Sequence, residues 1–125
     1  MLFRSKDIDT LVPLPLYADK ESRRGYNQSL LICEGFAEIL GLPIITGNVL
    51  RKRATETQTR KKRKERWQNV EGSFSLRDQD ELKNKHILLI DDVITTGATL
   101  EACGSEILKV PGVTLSIGTV AYATD

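Results

Sequence analysis

The spacing of hydrophobic positions changes repeatedly along the chain, and each change marks an element. Residues 10–16 are mostly apolar, with prolines at 13 and 15, which predicts a short buried strand ending in a proline-constrained turn. Over residues 29–40 the apolar positions Ile32, Cys33, Phe36, Ala37, Ile39 and Leu40 form a broad stripe at helical spacing. Asn27 is placed to cap this helix and Gly41 with Pro43 to stop it, so the stripe is expected to be core. Residues 43–50 predict a short strand, at Ile44 and Ile45 or at Val49 and Leu50, around a Gly-Asn turn. Residues 69–76 read as a turn and a short extended piece, and residues 78–85 as a polar turn. The apolar run from Ile87 to Ile90 suits a strand buried on both faces of a parallel sheet. Beyond it Leu100, Cys103, Gly104, Ile107 and Leu108 return to helical spacing. Pro111 and Gly112 mark a turn, and alternation over residues 113–122 predicts a last strand. The pattern as a whole predicts a three-layer α/β domain with a mostly parallel, Rossmann-like sheet and a ligand at its carboxyl edge.

The chain has 125 residues and a mass of 14.0 kDa, enough for one domain, residues 1–125, but not for two. Its hydrophobic content of 40% is that of a globular protein. No apolar run approaches the roughly 20 residues of a membrane span, and no secretory signal is recognisable at the N-terminus. A cytoplasmic location is expected. Cys33 and Cys103 both fall in helical apolar patterns and are expected to be buried free thiols. The lone His86 precedes a buried strand and receives no role.

Charge alters this picture. The formal net charge is only +1, yet residues 51–66 hold nine of the 18 basic residues and two acids, a local +7 that leaves −6 on the remainder. A positive segment on a mildly acidic body is expected to be the binding surface. Taken alone, the segment has three readings. It can be a solvated helix, a nucleic-acid patch with Trp67 for stacking, or a lid that brings cations to a leaving anion.

Candidate chemistry lies between the central strand and the helix after it. Two acids, Asp91 and Asp92, precede the small residues Thr95, Thr96, Gly97, Ala98 and Thr99. Such a loop leaves backbone N–H groups at a helix N-terminus, where the partial positive charge favours a phosphate. The threonine hydroxyls can donate to the same anion. Carboxylates at the end of a parallel strand can accept from vicinal sugar hydroxyls or bind magnesium, directly or through water. An ordinary turn with solvated acids is the plain alternative.

From Ile87 to Thr99 the order is an apolar run, Asp-Asp, two further residues and Thr-Thr-Gly-Ala-Thr, which resembles the phosphoribosyl pyrophosphate (PRPP) motif of type I phosphoribosyltransferases. Val12-Pro13-Leu14-Pro15-Leu16, Arg24-Gly25-Tyr26-Asn27-Gln28, residues 51–58, and Arg66 with Asn69, Gly72 and Phe74 resemble one branch. That branch is the ComF family of competence and DNA-utilisation proteins, related to amidophosphoribosyltransferases. The resemblance implies the type I phosphoribosyltransferase fold and transfer of phosphoribosyl from PRPP, with magnesium, to an acceptor, releasing pyrophosphate. It also implies roles: Asp91 and Asp92 on the ribose hydroxyls and magnesium, and Thr95, Thr96, Gly97, Ala98 and Thr99 on the 5'-phosphate. Leu16, Tyr17, Arg24, Arg51, Gln58 and Arg66 are then candidates for the pyrophosphate and a lid over residues 52–68. No residue stands out as a general base, which fits a reaction driven by position and charge.

Members of that family usually begin with a zinc-ribbon-like region and an extra strand and helix, which this sequence lacks. Neither end offers an obvious hood to recognise an acceptor, whose identity is therefore not readable. The alternative function is a PRPP-binding module that does not catalyse, with single-stranded DNA or a DNA-processing protein as partner of the basic segment. A homodimer is a compatible assembly.

Overall fold

The computed structural model describes residues 7–16, 27–52, 74–94 and 97–122. Strand β1 (Thr10–Pro13) is buried at every position. It is shorter than the expected run because Pro15 offers no amide to continue the ladder. Leu14 N is the last donor, reaching Ile90 O at 2.8 Å.

Helix α1 (Gln28–Leu40) begins as its cap predicts. Asn27 Oδ1 accepts from Ser29 N at 2.8 Å and from Leu30 N at 3.3 Å. Gly41 ends the helix at φ 69°, and its N–H donates to Ala37 O at 2.8 Å. The apolar stripe, however, is only partly core. Cys33 is fully buried and Ile32 and Ala37 pack beside it, whereas Phe36 is 37% and Ile39 81% exposed. At about 100° per residue, Ile39 lies about 120° around the helix from Cys33. A helix seated on β1 and one further strand covers a narrower arc than that.

One short strand was expected after α1, at either of two positions, and both positions are extended. Ile44 makes a parallel bridge to Leu11, and β2 (Val49–Arg51) pairs antiparallel with β3 (Phe74–Leu76). The pairing of Arg51 with Phe74 brings together the two ends of residues 52–73, which carry most of the basic segment. A one-turn 3-10 helix at Gln79–Glu81 follows, with Asp78 Oδ1 accepting from Asp80 N at 3.0 Å.

Strand β4 (His86–Ile94) pairs in parallel with β1 on one side and with β5 (Thr114–Tyr122) on the other. Helix α2 (Ala98–Ile107) connects β4 to β5. The side chains of β4 alternate between two clusters. Ile87 and Leu89 meet Val12 and the α2 residues Leu100, Cys103 and Ile107. Leu88 and Ile90 meet Leu11 and Cys33 of α1. The helices therefore cover opposite faces, and the expected three-layer, mostly parallel arrangement is present. Leu108 departs from its expected burial and is 53% exposed, because it is the C-cap beyond the last turn. His86 stitches the far end of the sheet: Nε2 lies 2.7 Å from Ser116 Oγ, and Nδ1 donates to the Asp7 carbonyl.

Connectivity locates the ligand crevice. β1 leads through α1 to Ile44 on its outer side, while β4 leads through α2 to β5 on the other. Between the carboxyl ends of β1 and β4 the chain departs in opposite directions, which is the topological switch point of the sheet. Among the described residues no helix is long and apolar enough to cross a membrane.

Asn48 holds the β2–β3 pair to the rest. It is 2% exposed, and its Nδ2 donates to Asp78 O at 2.8 Å and to Glu81 Oε1 at 2.6 Å. Its Oδ1 accepts from Arg77 N at 3.1 Å and Asp78 N at 3.0 Å. Both donors and both lone pairs are thus used. Asn48→Ala removes four part-buried hydrogen bonds to residues 77, 78 and 81 and is expected to destabilise the fold by about 2–4 kcal/mol, measured by urea denaturation.

Candidate functional site

The two acids do not sit in a turn. Pairing of β4 with β5 runs past them, with Asp91 opposite Thr119 and Val93 opposite Ala121. This removes the plain-turn alternative and corrects the expectation that the strand ends before the acids. The apolar run is only the part of β4 buried on both faces, and the ladder continues into the polar rim.

Three elements converge on the pair. Asp91 Oδ1 accepts from Asp92 N at 2.8 Å and lies 3.4 Å from Ser29 Oγ of α1. Thr119 Oγ1 of β5 donates to Asp92 O at 3.0 Å. Asn27 Nδ2 donates to Leu14 O at 3.2 Å, so the residue that caps α1 also holds the chain leaving β1. Ser29 and Thr119 were not expected at the site. Ser29 reads as an ordinary first-turn helix residue and Thr119 as a strand residue, and only the register of β5 and the seating of α1 bring them here.

Helix α2 is the next element after the strand that carries the acids. Gly97 is its N-cap at φ 80° and forms no side-chain cap. Its carbonyl accepts from Glu101 N at 2.8 Å. A Cβ at Gly97 would meet no atom of the described residues within 4 Å, chain neighbours aside, so the space at Gly97 is clear of their side chains. The positive end of the α2 dipole faces the same space, and Ala98 and Thr99 form the helix's half-buried first turn.

A second group assembles at the end of β1. Leu16, Pro15, Asn27, Leu30, Thr46 and Arg51 share a cleft of about 270 Å³. Arg51 Nη1 donates to Pro15 O at 3.5 Å, and its guanidinium carbon lies 5.5 Å from the centre of the Phe74 ring. Leu16 and Arg51, far apart in sequence, are thus brought together. Tyr17, Arg24, Gln58, Arg66, Thr95 and Thr96 lie outside the described residues.

Burial sets the ionisation of these groups. Partial desolvation raises the Asp91 carboxyl to about 6, and the neighbouring Asp92 side chain and charge add to this, while the Asp92 amide and Ser29 oppose it. Burial pushes the Cys103 thiol up to about 12 against the pull of the Arg51 charge. Burial and Glu34 do the same to Cys33. Both thiols are protonated and inert at neutral pH, as the sequence leads one to expect.

Asp91 therefore costs stability when it ionises. Below its ordinary value of 3.8 both the folded and unfolded chains carry the proton, and no penalty arises. As pH rises from 3.8 to about 6, the unfolded chain has lost a proton that the folded chain retains, so stability falls through that window. Asn at this position keeps an Oδ1 acceptor for Ser29 and Asp92. Asp91→Asn is expected to raise stability at neutral pH by on the order of 1 kcal/mol after allowance for solvent screening, and by nothing near pH ~3. Urea denaturation of both proteins across this range measures the difference.

Comparison with known proteins bears on the family and the fold. The phosphoribosyl transferase domain family matches residues 34–124. The chain is similar to competence protein F of Haemophilus influenzae, 38% identical over 106 residues, covering 84% of this chain and 46% of that protein. It is also similar to the DNA utilization protein YhgH of Salmonella typhi, 32% identical over 109 residues, covering 87% of this chain and 47% of that one. The chain spans about half the length of these relatives. Among solved structures, purine phosphoribosyltransferase from Pyrococcus horikoshii superposes with a TM-score of 0.57 at 19% identity, covering 94% of this chain and 63% of that one. That likeness carries the fold. The chain belongs to the phosphoribosyl transferase domain family, with the type I phosphoribosyltransferase fold and relatives among the ComF competence and DNA-utilisation proteins.

Proposed function

We propose that this chain binds PRPP at the switch point and transfers its phosphoribosyl group to an acceptor with release of pyrophosphate. The observation that carries the reading is the carboxylate pair built into β4 beside the open, dipole-bearing start of α2. In this reading Asp91 and Asp92 accept hydrogen bonds from the ribose hydroxyls and orient the ring. The 5'-phosphate rests on Thr95, Thr96, Gly97, Ala98 and Thr99. Leu16, Tyr17 and Arg24 after β1, with Arg51, Gln58 and Arg66, meet the pyrophosphate from the other side.

The donor set suits magnesium. Adjacent carboxylates supply hard oxygen ligands, and among the described residues no group of three or more His, Cys, Asp or Glu assembles around a metal. That composition fits an ion that completes its shell with water and ligand oxygens. When bound, magnesium would neutralise charge that develops on the departing pyrophosphate. The chain itself supplies position. Holding the ribose and both phosphate ends fixes C1 for attack, and cationic side chains stabilise the leaving group as the ribose gains oxocarbenium character. A cytoplasmic site of action is part of this reading.

Titration calorimetry with PRPP and magnesium tests it. The wild type is expected to bind, and Asp91→Asn/Asp92→Asn to lose affinity by about 100-fold or more, the loss of charge-assisted bonds to two hydroxyls. A folded wild type that shows no binding sinks the reading.

The names of the relatives favour a second reading, in which the PRPP pocket is a sensor and the basic segment contacts single-stranded DNA. Replacing Lys61, Lys62, Arg63 and Lys64 with alanine is then expected to reduce the salt dependence of single-strand affinity by up to about 3 in the log–log slope. Fluorescence anisotropy across a salt series measures it. Unchanged affinity and slope exclude that contact.

A further inference from the structure

Strand β5 is the outermost strand of the three-stranded sheet formed by the described residues. It is nine residues long and contains neither a charged residue nor a proline. Edge strands that face water are normally short, charged, bulged or covered, because an unprotected edge recruits another strand. β5 carries none of the protections that its own residues could supply.

Both of its faces are also apolar and exposed. Ile117 is 48% exposed on the α2 side, where it borders a cleft of about 330 Å³ with Leu100, Gly104, Leu108 and Leu115. Gly118 abuts Ile90 and Leu88 on the opposite face, so Val120, two residues on, belongs to the α1 side and is 63% exposed. Helix α1 packs mainly on β1 and β4, so among the described residues it is not the main cover of that flank. A helix docking on one face would cover Ile117 or Val120 but not both. A strand hydrogen-bonded to the edge brings side chains to both faces at once.

We propose that the occupant is β5 of a second copy, paired antiparallel about a twofold axis through Gly118. Ile117 then faces Thr119 of the other copy, and Ser116 faces Val120. An isologous pairing sets a strand against itself, which repels when the strand is charged; β5 has no charge to repel. The size is also adequate. Nine residues give an edge about 30 Å long, and a sheet with one helix layer is about 20 Å deep, so roughly 600 Å² is covered per copy. The total of about 1,200 Å² is the lower bound for a specific interface. Antiparallel addition to a parallel sheet is ordinary.

Light scattering coupled to size exclusion tests the proposal on the 125-residue chain. At about 100 µM, ample for an interface of this size, the wild type is expected at twice its 14.0 kDa mass. Ile117→Lys/Val120→Lys is expected to be monomeric with an unchanged circular dichroism spectrum. Ile39→Lys, on the exposed flank of α1, is expected to remain a dimer. Hydrogen exchange on the wild type supplies a second reading without mutation: β5 amides should gain protection as concentration rises. A monomeric wild type at that concentration overturns the proposal. So does a dimer that survives both lysines, or one that forms without new protection in β5.

Discussion

The double-sided pairing of β4 is the constraint on which the rest depends. Its backbone is hydrogen-bonded to β1 and to β5, and its side chains alternate between the clusters under α2 and α1. Removing β4 would leave no three-stranded sheet and no common floor for the two helices. The same strand runs on into the carboxylate pair, with Asp91 paired to Thr119 and Val93 to Ala121. Core and site are therefore one element, and the position of Asp91 and Asp92 is set by the packing of Ile87 to Ile90 below them. This is the usual way a rigid scaffold presents reactive groups at its rim.

That economy has an electrostatic consequence. Carrying two adjacent acids on a strand between two helices partly removes them from water, and Asp91 responds by holding its proton to about pH 6. Ser29 and the Asp92 amide offset part of the cost but not all of it. Strain of this kind is tolerated where a ligand, arriving with hydroxyl donors or a cation, relieves it. The open space at Gly97 and the α2 dipole beside it complement the acids with an anion-favouring surface. One side of the crevice thus suits hydroxyls or a cation, and the other suits phosphate.

The β2–β3 pair stands apart from the main sheet, yet it is anchored at both ends. Asn48 spends its full hydrogen-bonding capacity on its base. Arg51 lies against Phe74 across the strands and reaches the Pro15 carbonyl where the chain leaves β1. The roots of two segments distant in sequence are in this way tied to each other.

Much of this was legible in the order of residues. Asn27 and Gly41 cap α1 through local bonds, the run Ile87 to Ile90 marks the doubly buried strand, and alternation marks β5. These are properties of a few neighbouring residues, so sequence determines them. The acids and the small residues that follow them were likewise recognisable, because their order along the chain is local. Tertiary structure decided the rest. Which arc of α1 is buried depends on how many strands lie beneath it, and Ile39 emerged on the wrong side of that limit. Whether Asp91 sits in a turn or a strand depends on β5 extending alongside it. Ser29, Thr119 and Arg51 reach the site from elements 62, 27 and 36 residues away from their partners. No local pattern records such approaches, because they are fixed only when the sheet's register and the two helix faces are set together.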